Sequence, residues 1–242
     1  MRIFFVRHGQ SENNALWART QSHHGRVPDP ELTETGKRQL AYTAQFLDYC
    51  LSGESGNASD PSCTSNESGV VYLFCSLMVR SIQSGLIISD RLNLPLVVYT
   101  DIHETGGIFS YNPDTEEYSG EVGSTPAALK NRFPDLVLPK ELDWNKGWWD
   151  RPFEKSEDSS ARAGRMMDTL KERHLGSADT IILVSHGGFY NHFMWHALGI
   201  ERPEHTWFEL FNGAITLVDI DEERSSVVYS NRYSFMPTEI VT

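Results

Sequence analysis

The sequence predicts an α/β fold: a largely parallel central sheet flanked by helices on both faces, with an irregular lid and insertion region over the C-terminal strand ends. Three observations carry that prediction. Short apolar runs of strand length, RIFFV, VVYLFCS, LPLVVYT and DTIILVS, recur along the chain. Stretches of helical periodicity lie between them, the pattern of parallel strands joined through crossover helices. The runs end on Arg7-His8, Cys75-Ser76, Tyr99-Thr100 and Ser185-His186, and in such sheets ligands bind beyond the carboxyl ends of the strands.

Taken in order, residues 2–6 read as a buried first strand. The stretch LTETGKRQLAYTAQFLDYCL follows with Leu40, Thr43, Ala44, Leu47 and Leu51 on one helix face. Thr33 or Thr35 can cap it, with Glu34 in the first turn. Residues 52–69, SGESGNASDPSCTSNESG, have no periodicity and read as a surface insertion. Strands are predicted over 70–76 and 94–100, with a helix over 80–92 between them. Residues 105–160 are irregular, rich in Gly, Pro and aromatics, and are read as a variable lid. A helix over 160–174, a strand over 179–185, a helix in FYNHFMWHALG and strands over 214–220 and 225–230 complete the chain. With no repeat of solenoid length, 1–242 is read as a single domain.

Composition narrows the function. The 39% hydrophobic content supplies a sizeable core, and the 22% charged content does not suggest disorder. A net charge of −12 argues against nucleic acid or an anionic membrane as a partner. Any anion site must therefore be a local cluster of positive groups. Cys50, Cys63 and Cys75 are too few for a disulfide framework. A reducing compartment and a cytoplasmic location are expected, and free thiols are favoured over the alternative that Cys50 and Cys63 pair across the insertion. The N-terminal apolar run is too short for a signal peptide or membrane span.

Such a cluster is present at the strand ends. Arg7 and His8 follow the first strand, Arg80 the second, His103 and Glu104 the third, and His186 the fourth. Arginine forks match phosphoryl oxygens with paired hydrogen bonds, and phosphoryl transfer is catalysed mostly by positioning and electrostatics. No G-x-S-x-G elbow occurs, and Cys75 and Arg80 are one residue too close for a cysteine-phosphatase loop. Histidine remains as nucleophile, since its pKa near ~6.5 leaves it largely neutral at pH 7.

Arg7-His8-Gly9 with Ser11 and Asn14, then DPELTETG, CSLMVRS, HETGG and VSHGG, in that order, resemble the histidine phosphatase superfamily, phosphoglycerate mutase-like, in its phosphatase branch. The resemblance runs from Arg2 to about Thr216. It implies a phosphomonoester hydrolase in which His8 is phosphorylated, Arg7, Arg80 and His186 hold the phosphoryl oxygens, and Glu104 protonates the leaving group. By the same resemblance Ser11 and Asn14 contact phosphate, His24 and Gly25 fall at the polar edge of the pocket, and Gly187 supplies backbone beside it. No metal or cofactor is expected. The expected partner is a phosphorylated small molecule or phosphopeptide, with a homodimer left open.

Two alternatives stay open. A cofactor-dependent phosphoglycerate mutase would carry a Glu-Arg-His-Tyr-Gly run after the acid, where this chain has TGGIFSYN, and a paired arginine further on that it lacks. A catalytically silent phospho-ligand binding module would usually lose the nucleophile or the second histidine, and this chain keeps both. Glu104 has rivals in Asp101, Glu116 and Glu117. His192 and His196 are read as structural, because Phe193 stands where a zinc-protease motif has Glu. His23 and His24 have no third ligand in view. Trp144, Trp148 and Trp149 are read as core or lid packing. Tyr111, Asn112, Tyr118, Trp148 and Trp149 in the lid suggest a substrate with one phosphate and an uncharged or aromatic remainder.

Overall fold

Side chains alternate along β1 (Arg2–Arg7), and that alternation organises the molecule. Phe4 and Val6 enter one core while Ile3 and Phe5 enter another on the opposite face of the sheet. This is a computed structural model, and it describes residues 1–52, 63, 69–140, 146–201 and 205–242. After β1 come α1 (Glu12–Thr20), α2 (Glu34–Leu51), β2 (Val71–Cys75), α3 (Val79–Leu92) and β3 (Leu96–Val98). Next are β4 (Phe109–Asn112), β5 (Glu117–Gly120), α4 (Pro126–Arg132), α5 (Ser156–His174) and β6 (Thr180–Ser185). The chain ends with α6 (Gly187–Leu198), β7 (Ile215–Ile220) and β8 (Ser225–Arg232).

Six strands form the central sheet in the order β3-β2-β6-β1-β7-β8. The first four are mutually parallel, whereas β7 runs antiparallel to β1 and β8 antiparallel to β7. Leu40, Ala44 and Leu47 of α2 and Ile82 and Ile88 of α3 fill the core on the Phe4 side. Met166 and Leu170 of α5 and Phe189 and Phe193 of α6 fill the other. A mostly parallel sheet must be covered on both faces, and here it is. Its register sets Arg7 beside Ser185, and Cys75 beside both Val184 and Val98, so the four predicted strand ends share one rim.

Departures from the sequence reading have local causes. α1 buries no residue, so it shows no apolar stripe; a capping box between Ser11 and Asn14 starts it. The segment 105–160 is not wholly irregular, since β4 and β5 form an antiparallel hairpin and Thr125 caps α4 with Pro126 behind it. Of the two threonines considered for α2, Thr33 is the cap and accepts from the Gly36 amide at 3.0 Å. Helix α5 begins at Ser156 rather than near residue 160.

The preference for unpaired Cys50 and Cys63 is corrected in favour of the alternative pairing. Cys50 and Cys63 are joined in a disulfide, and Cys75 alone is free. Both paired residues lie buried in the same core cluster at the end of α2, a proximity that loop composition does not reveal. The scarcity of cysteine therefore no longer supports a reducing compartment. Apart from Ser52, Cys63 and Gly69, the expected insertion lies outside the described residues, as does Trp144. Among the described residues, no helix is long and apolar enough to cross a membrane.

Candidate active site

β1 delivers His8 to the rim almost fully buried. Its Nδ1–H donates to the Gly9 carbonyl at 2.7 Å, and its Nε2 accepts from Arg80 Nε at 3.1 Å. Arginine nitrogen can only donate, so this pair of bonds assigns the proton to Nδ1 and the lone pair to Nε2. Burial, followed by the charges of Arg80 and Arg7, holds the His8 pKa well below its ordinary value. The result is a neutral imidazole with its nucleophilic nitrogen among cations.

Arg80 occupies the first turn of α3 and lies 3.8 Å from Asp29. Asp29 also accepts from the Val79 amide at 3.0 Å, and burial pushes its pKa up to about 6. His186 caps the N-terminus of α6, with its ring centroid 5.0 Å from that of His8. Its Nε2 pairs with Ser76 Oγ at 2.7 Å. Burial first, then Arg80, lowers the His186 pKa too. Arg7 donates to the Leu210 carbonyl, and its Nε is buried without a hydrogen-bond partner. A Cβ on Gly187 would come to 3.3 Å from that Nε. The glycine thus lets the backbone lie close against the guanidinium.

Glu104 is held by the start of α6. Its Oε1 accepts from the amides of Thr105 and Phe189, each at 2.8 Å, and its Oε2 from the Gly188 amide at 3.1 Å. A helix N-terminus offers unpaired N–H groups, which explains the anchorage. A Cβ on Gly188 would come to 2.6 Å from Glu104 Oε1, so a larger residue there would displace the carboxylate.

Arg7, His8, Arg80 and Glu104 line one pocket of about 270 Å³, together with Ser11, Asn14, Trp17, His23, Arg26, Thr105, Gly107 and Phe109. His186 is completely buried beside the His8 ring and is not among the residues that line this pocket. Ser11 and Asn14 line the pocket while forming the α1 capping box, and Asn14 Oδ1 accepts from the Ser11 amide at 3.1 Å. His24 and Gly25 are a correction. Both are exposed, and His23 and Arg26 line the pocket in their place. The turn carrying them has no periodicity from which to read which side chain points inward.

Other sequence candidates fall elsewhere. Trp148 and Trp149 are buried and line a second cavity of about 600 Å³, with His103, Glu154 and Arg162 but without His8. His103 packs against both tryptophans. Among the described residues of the expected lid, Thr105, Gly107 and Phe109 line the pocket. Cys75 is buried, and burial drives its thiol pKa far upward, which removes it as a thiolate nucleophile. Among the described residues, no group of three or more His, Cys, Asp or Glu side chains is placed to hold a metal ion.

Sequence reasoning missed four residues. Ser76 anchors His186, and Asp29 lies against Arg80. Asn212 donates to the His8 carbonyl at 3.1 Å and to Asn14 Oδ1 at 3.3 Å. Arg26 places its guanidinium 4.1 Å from the Phe109 ring centre, with Nε buried and lacking a hydrogen-bond partner. The DPELTETG motif contained Asp29 and the CSLMVRS motif Ser76; nothing in the sequence marked Arg26 or Asn212.

Comparisons with known proteins bear on the family and the fold. The chain matches the model of the histidine phosphatase superfamily (branch 1) over residues 3–52 and 64–232. It is 26% identical over 237 residues to a protein of Hydrogenobacter thermophilus provisionally described as phosphoserine phosphatase 2, covering 96% of this chain and 95% of that one. Among solved structures, a phosphoserine phosphatase mutant from Entamoeba histolytica in complex with phosphoserine superposes with a TM-score of 0.60 at 15% identity, covering 98% of this chain and 99% of that one. A mycobacterial glucosyl-3-phosphoglycerate phosphatase superposes with a TM-score of 0.57 at 17% identity, covering 95% and 98%. These structural likenesses establish the fold.

Proposed function

The chain belongs to the histidine phosphatase superfamily, and on that premise we propose that it is a phosphomonoester hydrolase working through a phosphohistidine on His8. The observation that carries the reading is the pair of bonds on the His8 ring, Nδ1–H to Gly9 and Arg80 to Nε2. Together they present a neutral nitrogen lone pair beside two guanidinium groups. A phosphomonoester dianion entering the pocket replaces the contact from Arg80 and puts phosphorus in front of Nε2.

In the first step the Nε2–P bond forms and the ester P–O bond breaks. The leaving oxygen takes a proton from Glu104, whose Oε2 accepts only one hydrogen bond and is the oxygen with room to carry it. In the second step water attacks phosphorus and gives its proton back to Glu104. The N–P bond breaks, and inorganic phosphate leaves. Arg7, Arg80 and the His186 side supply the preorganised field for the three equatorial oxygens.

Acid quench during turnover of a ³²P-labelled monoester tests this. An acid-labile, base-stable adduct on the peptide containing His8 is expected, and it should vanish in His8→Ala. Mutase turnover of 3-phosphoglycerate faster than phosphate release would overturn hydrolysis as the main reaction. Near wild-type turnover by His8→Ala would overturn the intermediate.

A further inference from the structure

The carbonyls leading up to Glu104 each have a side-chain donor. Glu104 follows β3 and a turn of 3-10 helix, Thr100–Ile102. The Thr100 carbonyl accepts from His103 Nδ1 at 2.8 Å and that of Ile102 from Ser185 Oγ at 2.7 Å. Those of Asp101 and His103 both accept from Arg162 Nη1, at 2.7 and 3.0 Å. One nitrogen of one arginine thus holds the backbone on either side of Ile102.

Arg162 reaches this segment from α5 and is almost fully buried. Its Nε and Nη2 donate to the two oxygens of Glu154 at 2.9 and 2.6 Å, the parallel bonds of a guanidinium on a carboxylate. Ser159 Oγ donates to Glu154 as well, at 2.6 Å, which ties the pair to the first turn of α5. Burial would raise the Glu154 pKa, but His103 and Arg162 beside it hold it well below the ordinary carboxylate range. The guanidinium also lies 4.6 Å from the centre of the Phe189 ring, and the Phe189 amide is one of those that hold the Glu104 carboxylate. Arg162 therefore touches both the backbone that carries Glu104 and the helix start that receives its side chain. It does so without lining the His8 pocket; it stands in the wall of the second cavity. A buried ion pair is often no more stabilising than an apolar pair of similar volume. What the planar fork adds is direction, because its donors have fixed geometry.

We infer that Arg162 is a positioning residue for the general acid: held by Glu154, it fixes the 101–104 backbone against the start of α6 and so keeps the Glu104 carboxyl within reach of the leaving oxygen. The inference deepens the phosphatase reading above and rests on the role given there to Glu104.

The test measures kcat and KM in the full chain for nitrophenyl phosphate and for the alkyl ester turned over fastest among phosphoserine, 3-phosphoglycerate and glycerol 3-phosphate. Arg162→Lys keeps a charge beside Glu154 but lacks the fork. It should lower kcat on the alkyl ester by roughly 10- to 100-fold, the cost of a misplaced proton donor, with KM little changed and nitrophenyl phosphate far less affected. A role in stability alone would lower the melting temperature without moving the alkyl-to-aryl ratio. Added to Glu104→Gln, Arg162→Lys should leave that ratio where Glu104→Gln alone puts it, because the acid it positions is gone.

Arg162→Met combined with Glu154→Leu removes both charges and leaves neither buried alone, and it supplies the same reading if Arg162→Lys does not fold. An unchanged ratio in whichever of these folds overturns the inference, as do losses that multiply with Glu104→Gln. Loss of the fold in both overturns it too, by making Arg162 a residue of folding. If Glu104→Gln shifts the ratio and the Arg162 variants do not, only the inference fails. If Glu104→Gln leaves the ratio at its wild-type value, or no alkyl ester releases phosphate, the reading beneath it falls and the inference with it.

Discussion

Arg80 donates from Nε to Nε2 of His8 across 3.1 Å, the arginine entering from the first turn of α3 and the histidine from the end of β1. One contact thereby fixes the tautomer of the histidine and lowers its proton affinity.

Removing that contact should act on both. Arg80→Ala is expected to lower kcat by about 10²–10³, as loss of one preorganised charge donor does. Arg80→Lys should not restore it, because an ammonium lacks the planar fork. The His8 imidazole should titrate at higher pH in Arg80→Ala, since a nearby positive charge that opposed protonation is gone. NMR titration of the His8 ring checks this directly, and an unchanged or lower value would contradict it.

Glu104 should matter in proportion to the leaving group's need for a proton. Nitrophenolate leaves readily, whereas an alkoxide does not. Glu104→Gln is therefore expected to damage hydrolysis of alkyl phosphates far more than that of nitrophenyl phosphate. The ratio of the two losses in kcat/KM reads as a difference in transition-state stabilisation. Equal losses would reduce Glu104 to a shaping role.

Gly188 should be sensitive to substitution through its effect on Glu104. A methyl group there would meet Glu104 Oε1 at 2.6 Å and Thr105 Oγ1 at the same distance. Gly188→Ala is expected to reproduce the leaving-group dependence of Glu104→Gln while leaving the far-ultraviolet spectrum native. If the alanine variant hydrolyses alkyl and aryl esters in the wild-type ratio, the carboxylate accommodates a methyl group at this position without losing its role.

Stability should respond to pH in two opposed ways. The buried His8, His103 and His186 have lowered pKa values. The unfolded chain binds their protons more readily, so the stability they contribute is present above about 6.5 and is lost as pH falls. Asp29 is shifted the other way, from 3.8 to about 6. Its contribution is present below pH 3.8 and is lost as pH rises through about 6. Asp29→Asn should therefore raise the melting temperature at pH 8 and have little effect at pH 3.5. Moving the carboxyl from 3.8 to about 6 corresponds to about 3 kcal/mol, and each kcal/mol moves the melting temperature by roughly 2–4 °C for a chain of this size. Thermal scans of both proteins across this range decide it; a gain greatest at low pH would reverse the sign assigned to Asp29.

What the sequence alone determined follows from repeated, local patterns. Four apolar runs ending in Arg7-His8, Cys75-Ser76, Tyr99-Thr100 and Ser185-His186 were enough to place a parallel sheet with its chemistry on one rim, because burial on both faces leaves a continuous apolar signature. The order of the motifs around His8, Arg80, Glu104 and His186 was equally legible. Tertiary structure alone decided which side chains of the aperiodic turn 21–30 face inward, so that Arg26 replaced His24. It decided that Trp148 and Trp149 belong to another cavity, that Cys63 meets Cys50, and that Asn212 reaches His8 from more than two hundred residues away. Periodicity reports which face of a helix or strand is buried. A turn has no such repeat, and a contact across the chain leaves none in either of its partners.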